Sequence, residues 1–470
     1  MAWLRAPGRS SPLTTPCSLT PPPHDKNSPT KGPGSSCTFD RLLQVLLLCL
    51  FAAGVALAWH EGLGGLARLQ PRLAMATTAG WAGGHRRRGG GGPGEVDVAY
   101  FVQVSESNLP LLPRLLRSIH HPANTYAVHF DKKIPAAAFT PVRDAILADP
   151  RMDNVLFMSR EVVTYRGIST VLNVLSAMEY LLSADRRWTY FINISASDYP
   201  LVPPTAQRRL LAMPGVADAG ANFASVSSRK AYVARVTNDR IGNLFVDSSL
   251  AFQGNETLVL PMRQANPLYD TAAWTARKSE AWMVLHRDFV VYTVRSAAPQ
   301  RLLLAFAQSI SASEHYFVTL LTNAARWRRT LVPVHLRYIA WAHRGVKALQ
   351  HPYYVDGLEP NSTAYAFASE LDASAAFFAR KFRVPDSPLL DTLDRSHSGI
   401  QPPATAGEAA AVSAAAERVR TRLAAALATA RRDVEAWEGR LAAAAAAGVA
   451  PDKEDRTPLD PEEGEGGGAR

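Results

Sequence analysis

The spacing of apolar and polar positions changes several times along the 470 residues, and each change marks a different element. Residues 42–59 (LLQVLLLCLFAAGVALAW) are uncharged, with Gln44 the one strongly polar member. As a helix rising about 1.5 Å per residue they reach roughly 27 Å, the thickness of a thin bilayer. Residues 1–41 ahead of them are rich in Pro, Ser and Thr and have no apolar period, which predicts a disordered tail. A cleaved signal peptide has a short basic leader instead of such a tail, so 42–59 is read as an uncleaved transmembrane signal anchor. Lys26, Lys31 and Arg41 precede the span while Arg68 and Arg72 follow it, which orients the N-terminus to the cytosol. Residues 60–95 close on HRRRGGGGPG and predict a flexible stem.

From Val96 the pattern becomes that of a folded domain, expected over 96–400. VDVAYFVQVS reads as a buried strand, LPLLPRLLRSIHH as a helix, and TYAVHFD as a second strand. ISTVLNVLSAMEYLLSA (helix) and WTYFINIS (strand) repeat the unit, and strand–helix–strand order implies parallel pairing in a sheet wound in the Rossmann manner. Functional residues in such folds lie beyond the strand carboxyl ends, where Asp131 and the segment Ser197-Asp198-Tyr199-Pro200 fall. Residues 405–449 are Ala-rich with interspersed Arg and Glu and predict one long peripheral helix; 450–470, acidic and Gly-rich, predict a disordered tail.

Composition narrows the function. A formal charge of +10, from 51 Lys and Arg against 41 Asp and Glu, is spread along the chain and accompanied by no nucleic-acid motif, which argues against nucleic acid as a partner. A diffuse positive balance suits nucleoside diphosphates and anionic lipid. All three cysteines, Cys17, Cys37 and Cys49, precede or lie within the apolar span. The domain beyond it therefore has no disulfide, no Cys nucleophile and no Cys-based zinc site.

Four local patterns hold candidate chemistry, and each has a plain structural use as well. Asp198 follows a buried strand, with Pro200, Pro203 and Pro204 holding the next loop open; it is either displayed at a rim or capping a turn. Ser311 and Glu314 stand three apart ahead of an apolar helix, the spacing of a capping box. FARKFR groups Arg380, Lys381 and Arg383, a cluster that binds phosphates or simply solvates a surface. Trp341 ends the LRYIAW run, as a stacking surface or as core.

TYRG (164–167), FINISASDYPLV (191–202), SEHYFVTLLTN (313–323), LRYIAW (336–341) and FARKF (378–382) occur in the order and at the spacing that resemble the core-2/I-branching glycosyltransferase family, especially its plant and algal β-glucuronosyltransferase-like branch. The resemblance runs from about Val98 to Asp394 and implies a GT-A-like, Rossmann-related mixed sheet flanked by helices, a type II Golgi membrane protein with a lumenal catalytic domain, a UDP-sugar donor, inverting transfer to a glycan or polysaccharide, and no metal. Residue by residue it implies Glu314 as catalytic base, Lys381 with Arg380 facing the diphosphate, Asp131 receiving the nucleoside, Asp198 beside the donor, and Trp341 with Trp282 at the acceptor. His129 alternates inward and is read as core. No DXD motif follows a strand in this span, so fixed cations are expected to stabilise the departing UDP in place of a metal.

One segment departs from the family. Lys278, Ser279 and Glu280 stand before Ala281-Trp282 where plant relatives read Thr-Gly-Ser, which removes a close backbone approach and adds two charges. The expected donor is UDP-glucuronic acid and the acceptor a galactose-containing glycan. UDP-GlcNAc and UDP-xylose stay open, as do an inactive lectin-like or scaffold protein and an interaction protein working through the Ala-rich helix. Asn255-Glu-Thr and Asn361-Ser-Thr are glycosylation sequons in loop-like sequence, whereas Asn193-Ile-Ser falls in a strand.

Overall fold

The computed structural model describes residues 94–460 other than 185, 270–272, 349–350, 360–362 and 398–404. The predicted tail, membrane span, nearly all of the stem and the Asn361 sequon lie outside the described residues; among those described, no helix is long and apolar enough to cross a membrane.

The apolar runs form strands where their composition places them: β1 (Val98–Val104), β2 (Thr125–Phe130), β3 (Val155–Phe157) and β4 (Tyr190–Ser195). Next come β5 (Asp198–Pro200), β6 (Asn222–Phe223), a hairpin of β7 (Asn243–Asp247) and β8 (Val259–Ala265), and β9 (Val284–His286). Last are β10 (Leu331–Val332), β11 (Arg337–Ile339), a hairpin of β12 (Ala342–His343) and β13 (Val346–Lys347), and β14 (Phe378–Arg380). Seven of them make one sheet in the order β10-β6-β9-β4-β1-β2-β3. The β4-β1-β2-β3 half is parallel, as strand–helix–strand order demands, while β9 runs antiparallel to both β4 and β6 and makes the sheet mixed.

Side chains alternate across a strand, so β1 divides its residues between two cores. Val98, Tyr100 and Val102 join Leu112, Leu115, Leu116 and Ile119 of the Leu112–Ile119 helix on one face. Ala99 and Phe101 meet Val171, Val174 and Met178 of the Ser169–Ser183 helix on the other. Each fully buried Leu, Val or Phe contributes about 1.5–3 kcal/mol, and the sheet is held from both sides. The predicted α/β architecture, a mixed sheet flanked by helices, is the one present.

The Ala-rich helix forms over Ala406–Ala446, with the Thr405 hydroxyl accepting from the Glu408 amide at its start. Ala415, Val419, Leu423 and Ala430, spaced by whole turns, enter the core beside β1 and β2, so the helix closes that face of the sheet. The chain then differs from the expected disordered tail: residues 450–460 fold back onto the domain. Asp455 is gripped by Arg440 at 2.8 Å and Arg328 at 3.3 Å, the Trp437 indole donates to the Asp455 carbonyl, and Asp460 accepts the Ala325 amide at 2.8 Å. An acidic composition predicts disorder only when no cations wait for it, and here Arg328 and Arg440 do.

The domain also begins earlier than its apolar pattern. Glu95 and Asp97 close on the buried Arg208 guanidinium at 3.2 and 2.8 Å and tie the approach to β1 onto the Pro204–Leu211 helix.

Candidate active site

A cleft of about 440 Å³ opens at the carboxyl ends of β1, β2 and β4, where a wound sheet leaves room between its loops. Asp131, Glu280, Trp282, Glu314, Trp341, Arg380 and Lys381 all line it. Residues up to 250 positions apart in sequence thus meet in one place, and the route of each explains its position.

Glu314 ends a 3-10 turn (Ala312–Glu314) that leads into the wholly buried Tyr316–Asn323 helix. The capping box suggested by Ser311 and Glu314 does not form. Ser311 adopts a left-handed backbone (φ 58°) with no side-chain cap; its Oγ accepts from Arg166 Nε at 2.9 Å, and its amide donates to the Arg166 carbonyl at 2.6 Å. Arg166 is itself left-handed (φ 64°). Two such non-glycine residues cost on the order of 1–3 kcal/mol each and persist because they lock one another in place, fixing the turn that aims Glu314.

Two cations meet on a single oxygen of that glutamate: Arg240 Nη1 lies 2.6 Å and Lys278 Nζ 2.8 Å from Oε2. Oε1 takes no hydrogen bond from the described residues. Burial pushes the Glu314 carboxyl up, but Lys278 and Arg240 outweigh it and hold the group below the ordinary glutamate range. Glu280, in the same cleft, is shifted the other way: burial raises it, Lys278 offsets only part of that, and the Trp341 indole donates to it. Two neighbouring carboxylates are therefore driven apart, Glu314 below the ordinary glutamate range and Glu280 above it.

Arg380 ends β14 and Lys381 follows it; β14 pairs antiparallel with β5 and sets Arg380 opposite Asp198. Asp198 is not displayed at a rim. Its side chain is fully buried, with Oδ1 accepting from Arg380 Nη1 at 2.9 Å and Oδ2 from the Ser195 amide at 2.7 Å. Pro200 in fact ends a strand that β14 covers and Pro203 and Pro204 start the Pro204–Leu211 helix, so Asp198 acts by holding Arg380. The Arg380 guanidinium lies 3.8 Å from the Trp282 ring centroid, a cation–π contact that orients both. Trp341 is 39% exposed and offers a ring face to the cleft.

Asp131 follows β2 and is held by the Lys133 amide at 3.0 Å and by Lys133 Nζ at 3.4 Å. His129 is buried and accepts the Glu161 amide at 3.0 Å on Nε2; burial takes its pKa down to about 4, so it stays neutral. Asn255 is exposed, while Asn193 is buried and clamps Ala281 and Met283 at 2.8 Å each, out of reach of glycosylation. Among the described residues no group of three His, Cys, Asp or Glu stands close enough to hold a metal ion.

Sequence reasoning missed three residues here: Arg166, Arg240 and the carboxylate role of Glu280. The signal for Glu280 was the departure segment itself, while Arg240 closes the Lys230–Arg240 helix with no local pattern to single it out.

The profile of the core-2/I-branching enzyme family matches residues 98–362, a span that contains Glu280, Glu314 and Trp341. The chain is 30% identical over 316 residues to a β-glucuronosyltransferase of Arabidopsis thaliana, covering 65% of this chain and 68% of that protein. It is 29% identical over 246 residues to the human β-1,3-galactosyl-O-glycosyl-glycoprotein β-1,6-N-acetylglucosaminyltransferase 3, covering 52% and 51%. To human xylosyltransferase 2 it is 27% identical over 323 residues, covering 66% of this chain and 35% of that protein. With the wound sheet, the cleft at its carboxyl edge and the match over more than half its length, the chain belongs to the core-2/I-branching family of glycosyltransferases.

Proposed function

We propose that the cleft moves a sugar, glucuronic acid, from its UDP conjugate to a hydroxyl of a galactose-containing glycan, with inversion and without a metal, in a GT-A-like domain facing the Golgi lumen behind a type II signal anchor at residues 42–59. The observation that carries this reading is the meeting of Glu314, Asp131, Arg380 and Lys381 in one cleft. Glu314, kept ionised by Lys278 and Arg240, takes the proton of the acceptor hydroxyl through its open Oε1 as that oxygen attacks the anomeric carbon. The bond from that carbon to the diphosphate breaks on the opposite face, and its electron pair leaves with UDP. Arg380 and Lys381 stabilise the charge that builds there, Arg380 in a fixed direction set by Asp198 and Trp282. Asp131 receives the nucleoside, and Trp341 stacks on the acceptor sugar with Trp282 completing the wall.

Glu280 favours a second reading, in which the donor sugar is neutral: a carboxylate lining the cleft repels a uronate and accepts hydrogen bonds from the hydroxyls of GlcNAc or xylose. UDP release measured with UDP-glucuronic acid, UDP-GlcNAc and UDP-xylose separates the two, on the wild type and Glu314→Gln. The donor turned over by the wild type names the sugar, and abolition in the variant supports Glu314 as base. Absence of turnover with every donor points instead to an inactive lectin-like protein. EDTA leaves the rate unchanged if the cations alone serve the leaving group.

A further inference from the structure

Beyond Glu314 the cleft continues into a second one of about 680 Å³, which shares Tyr165, Arg166, Glu280, Glu314, Trp341 and His351 with the first but not Asp131, Arg380 or Lys381. Glu314 stands at the junction, with the cations proposed for the diphosphate on one side and this space on the other. An inverting acceptor must approach the anomeric carbon from the side away from UDP.

The walls of the second cleft combine two kinds of side chain. Tyr165, 67% exposed, and Trp341, 39% exposed, are large aromatic faces left open to solvent. They suit the apolar faces of sugar rings. Five basic residues line it as well, Arg166, Arg229, Arg240, Lys278 and Lys347, against the carboxylates of Glu280 and Glu314. Arg240 and Lys278 are engaged by Glu314. Arg166 is hydrogen-bonded through Nε to a serine hydroxyl, Arg229 packs 4.7 Å over the Tyr232 ring, and Lys347 projects from the β12–β13 hairpin; none of the three meets a carboxylate among the described residues. His335, also on this wall, is kept near 4 by burial and adds no charge. Cations left unpaired around stacking surfaces create a field that a neutral oligosaccharide does not use.

We propose that this second cleft is an acceptor groove for an anionic glycan, one bearing carboxylates or sulfates, with Arg166, Arg229 and Lys347 reading its charge. The inference rests on the glycosyl-transfer reading for the position of the acceptor, but the groove's preference for charge is measurable without any turnover.

The test uses three probes with one backbone: β-galactotetraose, the same tetraose bearing one glucuronic acid, and the same bearing one sulfate. Binding is measured by calorimetry on the wild-type protein in the absence of donor, where no transfer occurs and Glu314 keeps Arg240 and Lys278 engaged. At least one charged probe is expected to bind about tenfold more tightly than the neutral one, with the advantage shrinking as salt rises from roughly 50 to 300 mM. Whichever charged arm binds more tightly identifies the group. Arg229→Glu and Lys347→Glu, both at exposed positions, are each expected to lower the charged-to-neutral affinity ratio roughly fivefold. Equal affinity for all three probes, or a ratio that neither substitution moves, overturns the proposal. Failure of every donor to release UDP would sink the transfer reading while leaving this binding result to stand by itself.

Discussion

The clusters around Arg208 and Glu314 are built from the same ions and behave differently. Arg208 has 1% of its side chain exposed, its Nε held by Glu95 at 3.2 Å and its Nη1 by Asp97 at 2.8 Å and Asn124 at 3.1 Å. Around Glu314 the signs are inverted and the count is incomplete: two cations share one oxygen, 29% of the side chain stays exposed, and the other oxygen is left to the cleft. A closed ionic cluster holds chain segments together. One that keeps a lone pair uncommitted also accepts a proton, at the cost of stability that a complete cluster would supply.

Substitution separates the two. Glu314→Gln removes the open carboxylate with little change of shape and is expected to lower kcat by roughly 10²- to 10⁴-fold, read as UDP release, while the protein still unfolds cooperatively. Arg208→Met leaves Glu95 and Asp97 without their buried partner and is expected to cost about 3–5 kcal/mol in denaturant unfolding, with kcat per folded molecule preserved. If Arg208→Met instead reduced kcat per folded molecule as much as Glu314→Gln, the division between holding and reacting would be broken. Trp341→Ala is expected to raise the acceptor KM roughly fivefold, from about 1 kcal/mol of lost stacking, with a smaller change in kcat.

Lys278→Met sharpens the comparison through pH. In the native cleft Lys278 and Arg240 keep the Glu314 carboxyl below the ordinary glutamate range, so the base stays ionised and activity persists as pH falls, until that lowered value is crossed. Without Lys278 the carboxyl rises, and the acid limb of kcat/KM moves to higher pH. An acid limb that stays in place would show that a group other than Glu314 governs it. Lys278 belongs to the segment where this chain departs from its plant relatives, so the same profile reports what that departure does.

Much of the sheet was legible beforehand. β1, β2 and β4 are predominantly apolar, β-branched and aromatic runs between helical periods, a pattern that fits burial on both faces. Glu314, Asp131 and Lys381 were reached through the resemblance, since capping and solvated-cluster uses explain the same spacings equally well. Asp198 was misplaced because prolines after a strand read locally as an open loop, whereas β14 supplies a pairing partner from 182 residues away. The 450–460 segment was misread for a similar reason: its acidity is unfavourable to a core until Arg328 and Arg440 are brought beside it.

The sequence by itself determined the leading strands and helices, their order and the family, because hydrophobic period and turn chemistry act over a few residues and survive in a linear reading. Only the tertiary structure decided which charges meet. Arg240 reaches Glu314 across 74 residues, and whether a carboxylate ends as a clamp, a base or a group pushed above its ordinary range depends on burial and on the cations the fold sets beside it. Coulombic and desolvation energies depend on distance through space, and spacing along the chain does not encode it.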